Sequence, residues 1–183
     1  MPQRRDLYFL KTARLGFRVW REDDQELALD LWGDPLVMSM IDSRGGLSPD
    51  QTRIKLADEI EMEKKSGVQY WPTFLLADTR NVGCCGLRPH DKPNGIFEIG
   101  VHIKSLFWRQ GLAEEAVRGV IDYAFEALKA TGLFAGHNPG NSASRQLLQK
   151  IGFRHTHDEF YPPTGLMHPS YILEASKWRQ RKE

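Results

Sequence analysis

The sequence predicts an α+β fold, a mixed and mostly antiparallel sheet of about seven strands with helices on both faces. Three observations lead there. The centre of the chain, residues 70–103, is β-rich and cut by turn-forming residues. Two strong helical patterns, residues 48–66 and 111–129, bracket that region. The remainder alternates short strands with further helix. At 183 residues the chain matches one ordinary domain with room for a core, so residues 1–183 are read as a single domain.

Taken in order, Leu15, Phe17 and Val19 alternate with Gly16, Arg18 and Trp20 and predict a first strand. Leu27, Ala28, Leu31 and Trp32 then recur at helical spacing behind the acidic turn Glu22, Asp23, Asp24, and Gly33 stands where the helix should end. Asp34 and Pro35 begin a short second helix. Ser48, Pro49 and Gln51 combine an N-cap serine, a first-turn proline and a capping-box glutamine. Ile54, Ala57 and Ile60 are the expected buried stripe of that helix, and Lys64, Lys65 and Gly67 close it near Ser66.

Strands are expected at 70–77, 82–87 and 96–103, forming an antiparallel meander with turns at 78–81 and 91–95. Leu112, Ala116, Val117, Val120, Ile121, Ala124, Phe125 and Leu128 make one face of the next helix, which Thr131 and Gly132 should end. A strand at 133–136, a helix at 141–150 and strands at 153–157 and 170–175 complete the layout. Residues 158–169, with three prolines around Phe160, Tyr161 and His168, read as a long connection, either a plain surface loop or one that touches a ligand.

Composition excludes several functions. The net charge of +1, with charges of both signs interspersed, gives no footprint for nucleic acid. The basic tail Lys177, Arg179, Arg181, Lys182 reads as a solvated terminus. Cys84 and Cys85 are the only cysteines, and neighbours on a strand point to opposite faces, so neither a disulfide nor a metal site follows. His155 and His157 share a strand face without a third ligand, and His137 receives no role. No metal is expected. Residues 1–10 lack the apolar stretch of a signal peptide and no run approaches membrane-spanning length, so a cytoplasmic protein with no membrane contact is the expectation.

The chemistry concentrates where a strand runs through a turn into the long helix opening at Trp108, Arg109, Gln110, Gly111, Leu112, Ala113. Unsatisfied N–H groups and the positive end of the dipole face outward together there, which suits a phosphorylated ligand. Gly111 allows close backbone approach. Neither G-x-x-x-x-G-K-[ST] nor G-x-G-x-x-G occurs, so Walker and Rossmann sites are excluded.

In context this loop carries a resemblance. Glu98, Ile99, Gly100, Val101, His102, Ile103 followed by Phe107 to Ala116 resembles the fourth strand, pyrophosphate loop and third helix of GNAT acetyltransferases. Asn141, Ser142, Ala143, Ser144 and Lys150, Ile151, Gly152, Phe153 resemble the family's asparagine segment and terminal K-x-G-F. The loop tryptophan, with Thr12, Ala13, Arg14, Leu15 and Trp32, Gly33, Asp34, Pro35, resembles the RimJ and RimL branch.

The resemblance implies acetyl transfer from acetyl-CoA to a primary amine, a protein N-terminus or a small molecule, within a ternary complex. It implies pyrophosphate held by the N–H groups of Arg109, Gln110, Gly111, Leu112 and Ala113 behind Trp108, and a pantetheine arm beside Val101, His102 and Ile103. Asn141 would bond that arm or cap its helix, or do both. Glu98, Gly100 and His102 share one strand face, opposite Phe97, Ile99, Val101 and Ile103. Glu98 there is either the general base or a paired structural carboxylate, with His102 as the competing base.

Many relatives place a tyrosine four positions before the K-x-G-F glycine, and this chain has Leu148. Ser144, one turn earlier on the same helical face, is the replacement acid or else a helix-start serine bonded to backbone. Residues 43–47 and 158–169 are candidate acceptor walls, with Phe160, Tyr161 and Trp71 as apolar contacts. A homodimer stays open as an assembly. Two rival readings remain: a non-catalytic acyl-CoA sensor, and an unrelated phosphate-binding module, which a nucleotide rather than coenzyme A would stabilise.

Overall fold

A computed structural model describes residues 7–180. One eight-stranded sheet organises them, in the order β1-β2-β3-β4-β5-β6-β8-β7. Its strands are β1 (Leu10–Lys11), β2 (Leu15–Phe17), β3 (Tyr70–Leu75), β4 (Asn81–Asp91), β5 (Ile96–Ile103), β6 (Gly132–Gly136), β7 (Arg154–Tyr161) and β8 (Leu166–Glu174). All neighbours are antiparallel except β5 and β6. The helices are α1 (Gln25–Trp32), α2 (Pro35–Met38), α3 (Pro49–Ser66), α4 (Leu112–Glu126), α5 (Ser142–Ile151) and α6 (Ala175–Gln180).

Each face of the sheet carries its own core. Residues of α4, α5 and α6 pack with Ile99, Ile103, Leu133 and Leu173 on one side, while α1, α2 and α3 pack with Trp20, Tyr70 and Cys84 on the other. The adjacent cysteines divide as strand geometry requires, Cys85 into the first core and Cys84 into the second. Both are free and buried.

Local chemistry sets the helix ends. Ser48 Oγ accepts the Gln51 N–H at 3.3 Å and Gln51 Oε1 accepts the Ser48 N–H at 2.9 Å, completing the expected capping box. Gly67 ends α3 in the left-handed region. The buried stripe of that helix differs from the expected one: Thr52, Leu56 and Glu59 face inward, whereas Ile54 is 61% exposed and Ala57 is exposed. The buried Glu59 carboxylate accepts the Tyr70 N–H at 2.9 Å and pairs with Arg88, so a charged residue occupies the inward face where periodicity selects apolar ones.

Other boundaries move for identifiable reasons. β2 stops at Phe17 because Arg18 turns to grip Asp24 with two hydrogen bonds of 2.6 and 2.7 Å. α4 ends at Glu126, before the expected Lys129, where the chain enters the left-handed region. Residues 158–169 are no long loop. They belong to the hairpin of β7 and β8, which pairs as far as Tyr161 and Leu166 and is closed by a proline-containing tip. The terminus also continues into α6, where buried Trp178 donates to Asp122 at 2.7 Å. Arg181 and Lys182, placed by the sequence in a solvated tail, lie outside the described residues. No helix among the described residues is long and apolar enough to cross a membrane.

Candidate active site

The parallel pair β5 and β6 matches only Ile96 with Gly132, Phe97 with Leu133 and Glu98 with Phe134. Beyond Glu98 the two strands part, although β5 stays paired with β4 as far as Ile103. The edge of β5 from Ile99 to Ile103 is therefore open toward the gap, and Val101, His102 and Ile103 lie along it. β6 leaves the other side of the gap and leads into α5, which carries Asn141 and Ser144 at its start.

At the point of divergence stands Glu98. Its carboxylate accepts a hydrogen bond from the Tyr70 hydroxyl at 3.2 Å. Burial raises the Tyr70 pKa well above the ordinary value, and the Glu98 charge raises it further, so Tyr70 acts as a neutral donor. Gly100 makes this contact possible. A Cβ there would stand 2.4 Å from the Tyr70 hydroxyl oxygen, so only glycine lets the ring cross β5 to reach Glu98. Nothing in the sequence around Tyr70 itself points to this role. A glycine in the middle of a strand was the available signal, since it marks a close approach.

His102 shares that face, yet its Nδ1 accepts the Trp32 indole N–H at 3.2 Å. Burial, with Lys55 and Arg88 adding to it, lowers its pKa to about 3. The imidazole is thus neutral and committed to Trp32. Of the other histidines, buried His137 lies between the Asn138 carbonyl at 2.8 Å and the Tyr171 hydroxyl at 3.3 Å. His155 and His157 pair with Asp158 and Glu159, and no cluster of metal-ligating side chains occurs among the described residues.

Past β5 a turn at Ser105–Phe107 feeds the loop. Trp108 is 47% exposed and its indole N–H donates to the Ile103 carbonyl at 2.7 Å, folding the loop back on the strand end. Arg109 at φ +60° and Gly111 at φ +75° both take left-handed conformations. α4 begins at Leu112 without a side-chain cap, so the N–H groups of its first turn remain available. A Cβ on Gly111 would meet only Arg14 Nη2, at 3.5 Å, and otherwise face open space. Arg109 and Gln110 are exposed, and Leu112 anchors the helix in the core.

Two glutamates in the first turn of α4 are drawn away from that opening. Glu115 accepts from Thr12 Oγ1 at 2.6 Å, the Arg14 N–H at 2.7 Å and Arg14 Nε at 2.6 Å. Burial raises its pKa, but these bonds outweigh burial and hold it below the usual range. Glu114 pairs with Lys150 at 2.6 Å and with Arg118, and the Lys150 bond leads the lowering of its pKa. Arg14 also donates to the Gln110 carbonyl at 3.0 Å, a bracing of the loop that the sequence did not reveal.

At the start of α5, Asn141 Oδ1 accepts the Ser144 N–H at 3.0 Å, the capping role read as one of its alternatives. The Ser144 hydroxyl is partly buried and has no hydrogen-bond partner among the described residues. Leu148 is buried in the core. Of the expected acceptor contacts, Trp71 is on the wrong face: it is 1% exposed and sits in the α4-side core against Phe9 and Tyr123. Tyr161 and Phe160 are successive strand residues and point to opposite faces, so they do not act together.

This geometry sits in a chain whose residues 14–154 match the Acetyltransferase (GNAT) domain family, and the chain belongs to that family. Among curated relatives it is 29% identical over 148 residues to the uncharacterized N-acetyltransferase p20 of Bacillus licheniformis, covering 79% of this chain and 82% of that protein. It is 28% identical over 183 residues to the FsC-acetyl coenzyme A-N(2)-transacetylase of Aspergillus fumigatus, covering 92% of this chain and 77% of that protein. The crystal structure of a GNAT-family acetyltransferase from Bacillus anthracis superposes with a TM-score of 0.79 at 22% identity, covering 91% of this chain and 98% of that one. That last likeness is one of fold.

Proposed function

We propose that this protein transfers an acetyl group from acetyl-CoA to a primary amine by direct attack in a ternary complex. The observation that carries the reading is the parting of β5 from β6 at Glu98, with an uncapped helix start at the far end of the same strand. The N–H groups from Arg109 to Ala113 would receive the pyrophosphate, with Arg109 adding charge. Because Glu114 and Glu115 are neutralised by other cations, the helix start keeps its attraction for anions. The open edge of β5 at Val101, His102 and Ile103 would pair with the pantetheine arm, and the Asn141 amide nitrogen would bond it while Oδ1 caps α5.

Glu98 then takes the proton that frees the amine's lone pair, and Tyr70 fixes the carboxylate in place. The amine adds to the thioester carbonyl, the adduct's nitrogen gives up its second proton to solvent, the C–S bond breaks, and the departing thiolate takes a proton from Ser144 Oγ, which solvent restores. His102 is unsuited to the base role because Trp32 occupies its Nδ1. Within the family the reading puts the chain in the RimJ and RimL branch, from the resemblance of Trp108, Thr12 to Leu15 and Trp32 to Pro35.

Glu98→Gln should lower turnover roughly ten- to a thousandfold while coenzyme A affinity holds, because general-base effects are of that order. The test is steady-state thiol release from acetyl-CoA with N-terminal peptides, polyamines and aminoglycosides, beside calorimetry with coenzyme A. An unchanged rate would remove Glu98 from the chemistry, and binding without turnover of any amine would favour an acyl-CoA sensor.

A further inference from the structure

We infer that Arg88 determines which acceptor is used, and that the acceptor is a primary amine carrying a carboxylate near its nitrogen, as in a free amino acid or a peptide that begins with aspartate. The inference rests on the acetyltransferase reading above, with Glu98 as the group that meets the amine. Its first support is register. Arg88 on β4 is the direct cross-strand partner of Glu98 on β5, so the two side chains rise from one face with Cβ atoms about 5 Å apart.

Opposite charges so placed can close into an ion pair, yet none joins them among the described residues. Arg88 Nη2 donates instead to the buried Glu59, and the Glu98 carboxylate accepts from the Tyr70 hydroxyl at 3.2 Å. Tyr70 holds both in place, since Arg88 Cζ lies 4.3 Å from the centroid of the same ring whose hydroxyl reaches Glu98. A cation and an anion fixed side by side and unpaired form a receptor for a dipolar ligand, one that offers an ammonium to Glu98 and a carboxylate to Arg88.

Arg88 has donors to spare. Its Nε is buried without a partner, and Nη1 has none among the described residues, so Nη2 alone is engaged. An orphaned donor of that kind is rare in a native fold and calls for an acceptor from outside it. The guanidinium can be reached: the side chain is 35% exposed and lines a cavity of about 410 Å³ with Lys55, Glu59 and Met62 of α3.

Charge balance points the same way. Arg88 and Lys55 offset Glu59 and Glu98, and Lys55 stands 4.0 Å from Glu59 and over the Trp32 ring. A bare ammonium arriving at Glu98 therefore meets Arg88 as well, like charge beside like. A zwitterion leaves the balance unchanged and brings the anion that Arg88 can bind.

The test measures thiol release from acetyl-CoA with L-alanine against L-alaninamide, with an amidated peptide beginning with aspartate against the same peptide beginning with asparagine, and with 1,4-diaminobutane. Wild type should favour the acid of one pair about tenfold to a hundredfold in kcat/KM, the scale of one hydrogen bond to a charged group, and should neglect the diamine. The pair that turns over separates a free amino acid from a peptide N-terminus. Arg88→Met should remove the preference, and Arg88→Lys should keep part of it as a point charge without the fork.

Because Arg88→Met leaves the buried Glu59 unpaired, a second variant combines it with Glu59→Gln, which removes both charges and keeps an oxygen for the Tyr70 N–H. Thermal melting checks that each variant is folded, and the preference should be lost in both. Equal wild-type use of acid and amide in both pairs, or turnover of the diamine ahead of both acids, would overturn the inference whether or not a variant folds. So would a preference that Arg88→Met leaves unchanged while all rates fall, since Arg88 would then serve Glu98 alone. Absence of both coenzyme A binding and thiol release with any amine would instead sink the acetyltransferase reading itself.

Discussion

On the proposed donor side of the cleft most residues, from Val101 on β5 through the loop to Ala113, lie in one stretch and would work through backbone N–H and C=O groups, with Asn141 and Ser144 joining them from α5. On the proposed acceptor side Tyr70 and Glu98 come from separate strands, β3 and β5, and meet through their side chains. A backbone site needs the right local conformation, supplied here by Arg109 and Gly111 in left-handed geometry. A side-chain site needs distant elements to meet, as Tyr70 meets Glu98 across Gly100. The difference explains why one side can keep a recognisable motif while the other varies its acceptor.

The sharpest way to break this contrast is Gly111→Val. Its backbone sits at φ +75°, which costs a branched residue roughly 1–2 kcal/mol, a strain the fold should tolerate. The new side chain would project into the space before the α4 N–H groups, because little else lies near that Cβ. Coenzyme A affinity measured by calorimetry should fall about a hundredfold or more, the loss of roughly 3 kcal/mol of phosphate contact. A folded variant with wild-type affinity would show that the pyrophosphate is held elsewhere.

The same contrast governs what could be read from the sequence. The Ser48 capping box, the β5 alternation and the α4 face follow from residues a few positions apart, and all three appear as expected. Ile54 and Ala57 misled because Glu59, buried by its pairing with Arg88 from β4, sets which way α3 turns. Residues 158–169 misled because prolines and aromatics suggested a loop, while the pairing that makes them strand comes from each other across a tight tip. In the proposed site, the shared face of Glu98, Gly100 and His102 follows from strand spacing, while the role of the Trp108 loop comes from the family resemblance. Gly100 marks a close approach, but that Tyr70 makes it, like the bracing by Arg14 and the Ser43 to Pro163 bond, depends on long-range contacts.

Ser144→Ala tests whether the α5 side of the cleft takes part in chemistry or only shapes it. The Ser144 N–H is already used by Asn141, and alanine preserves that bond and the helix start. Turnover with saturating acceptor should fall about tenfold, a modest loss because a thiol of pKa about 8.5 is a tolerable leaving group. Coenzyme A affinity should hardly change. A wild-type rate, under conditions where chemistry limits, would assign protonation of the thiolate to solvent.

The smallest effect concerns the neighbour of Glu98 that the chemistry does not use. His102 has a folded pKa of about 3 against an ordinary value of 6.5, so the unfolded chain binds its proton first as pH falls. The stability that a neutral His102 contributes is therefore whole above pH 6.5 and declines as pH drops toward 3, by up to about 1.4 kcal/mol per pH unit. Glutamine at this position keeps an oxygen to accept the Trp32 N–H and does not titrate. Urea unfolding of His102→Gln should give a shallower fall in stability between pH 6.5 and 4 than wild type, with similar stability near pH 7.5. Activity at pH 7.5 should change little, since Glu98 is the proposed base. Parallel stability curves would mean that His102 is protonated in the fold, and a large loss of turnover would return it to the list of candidate bases.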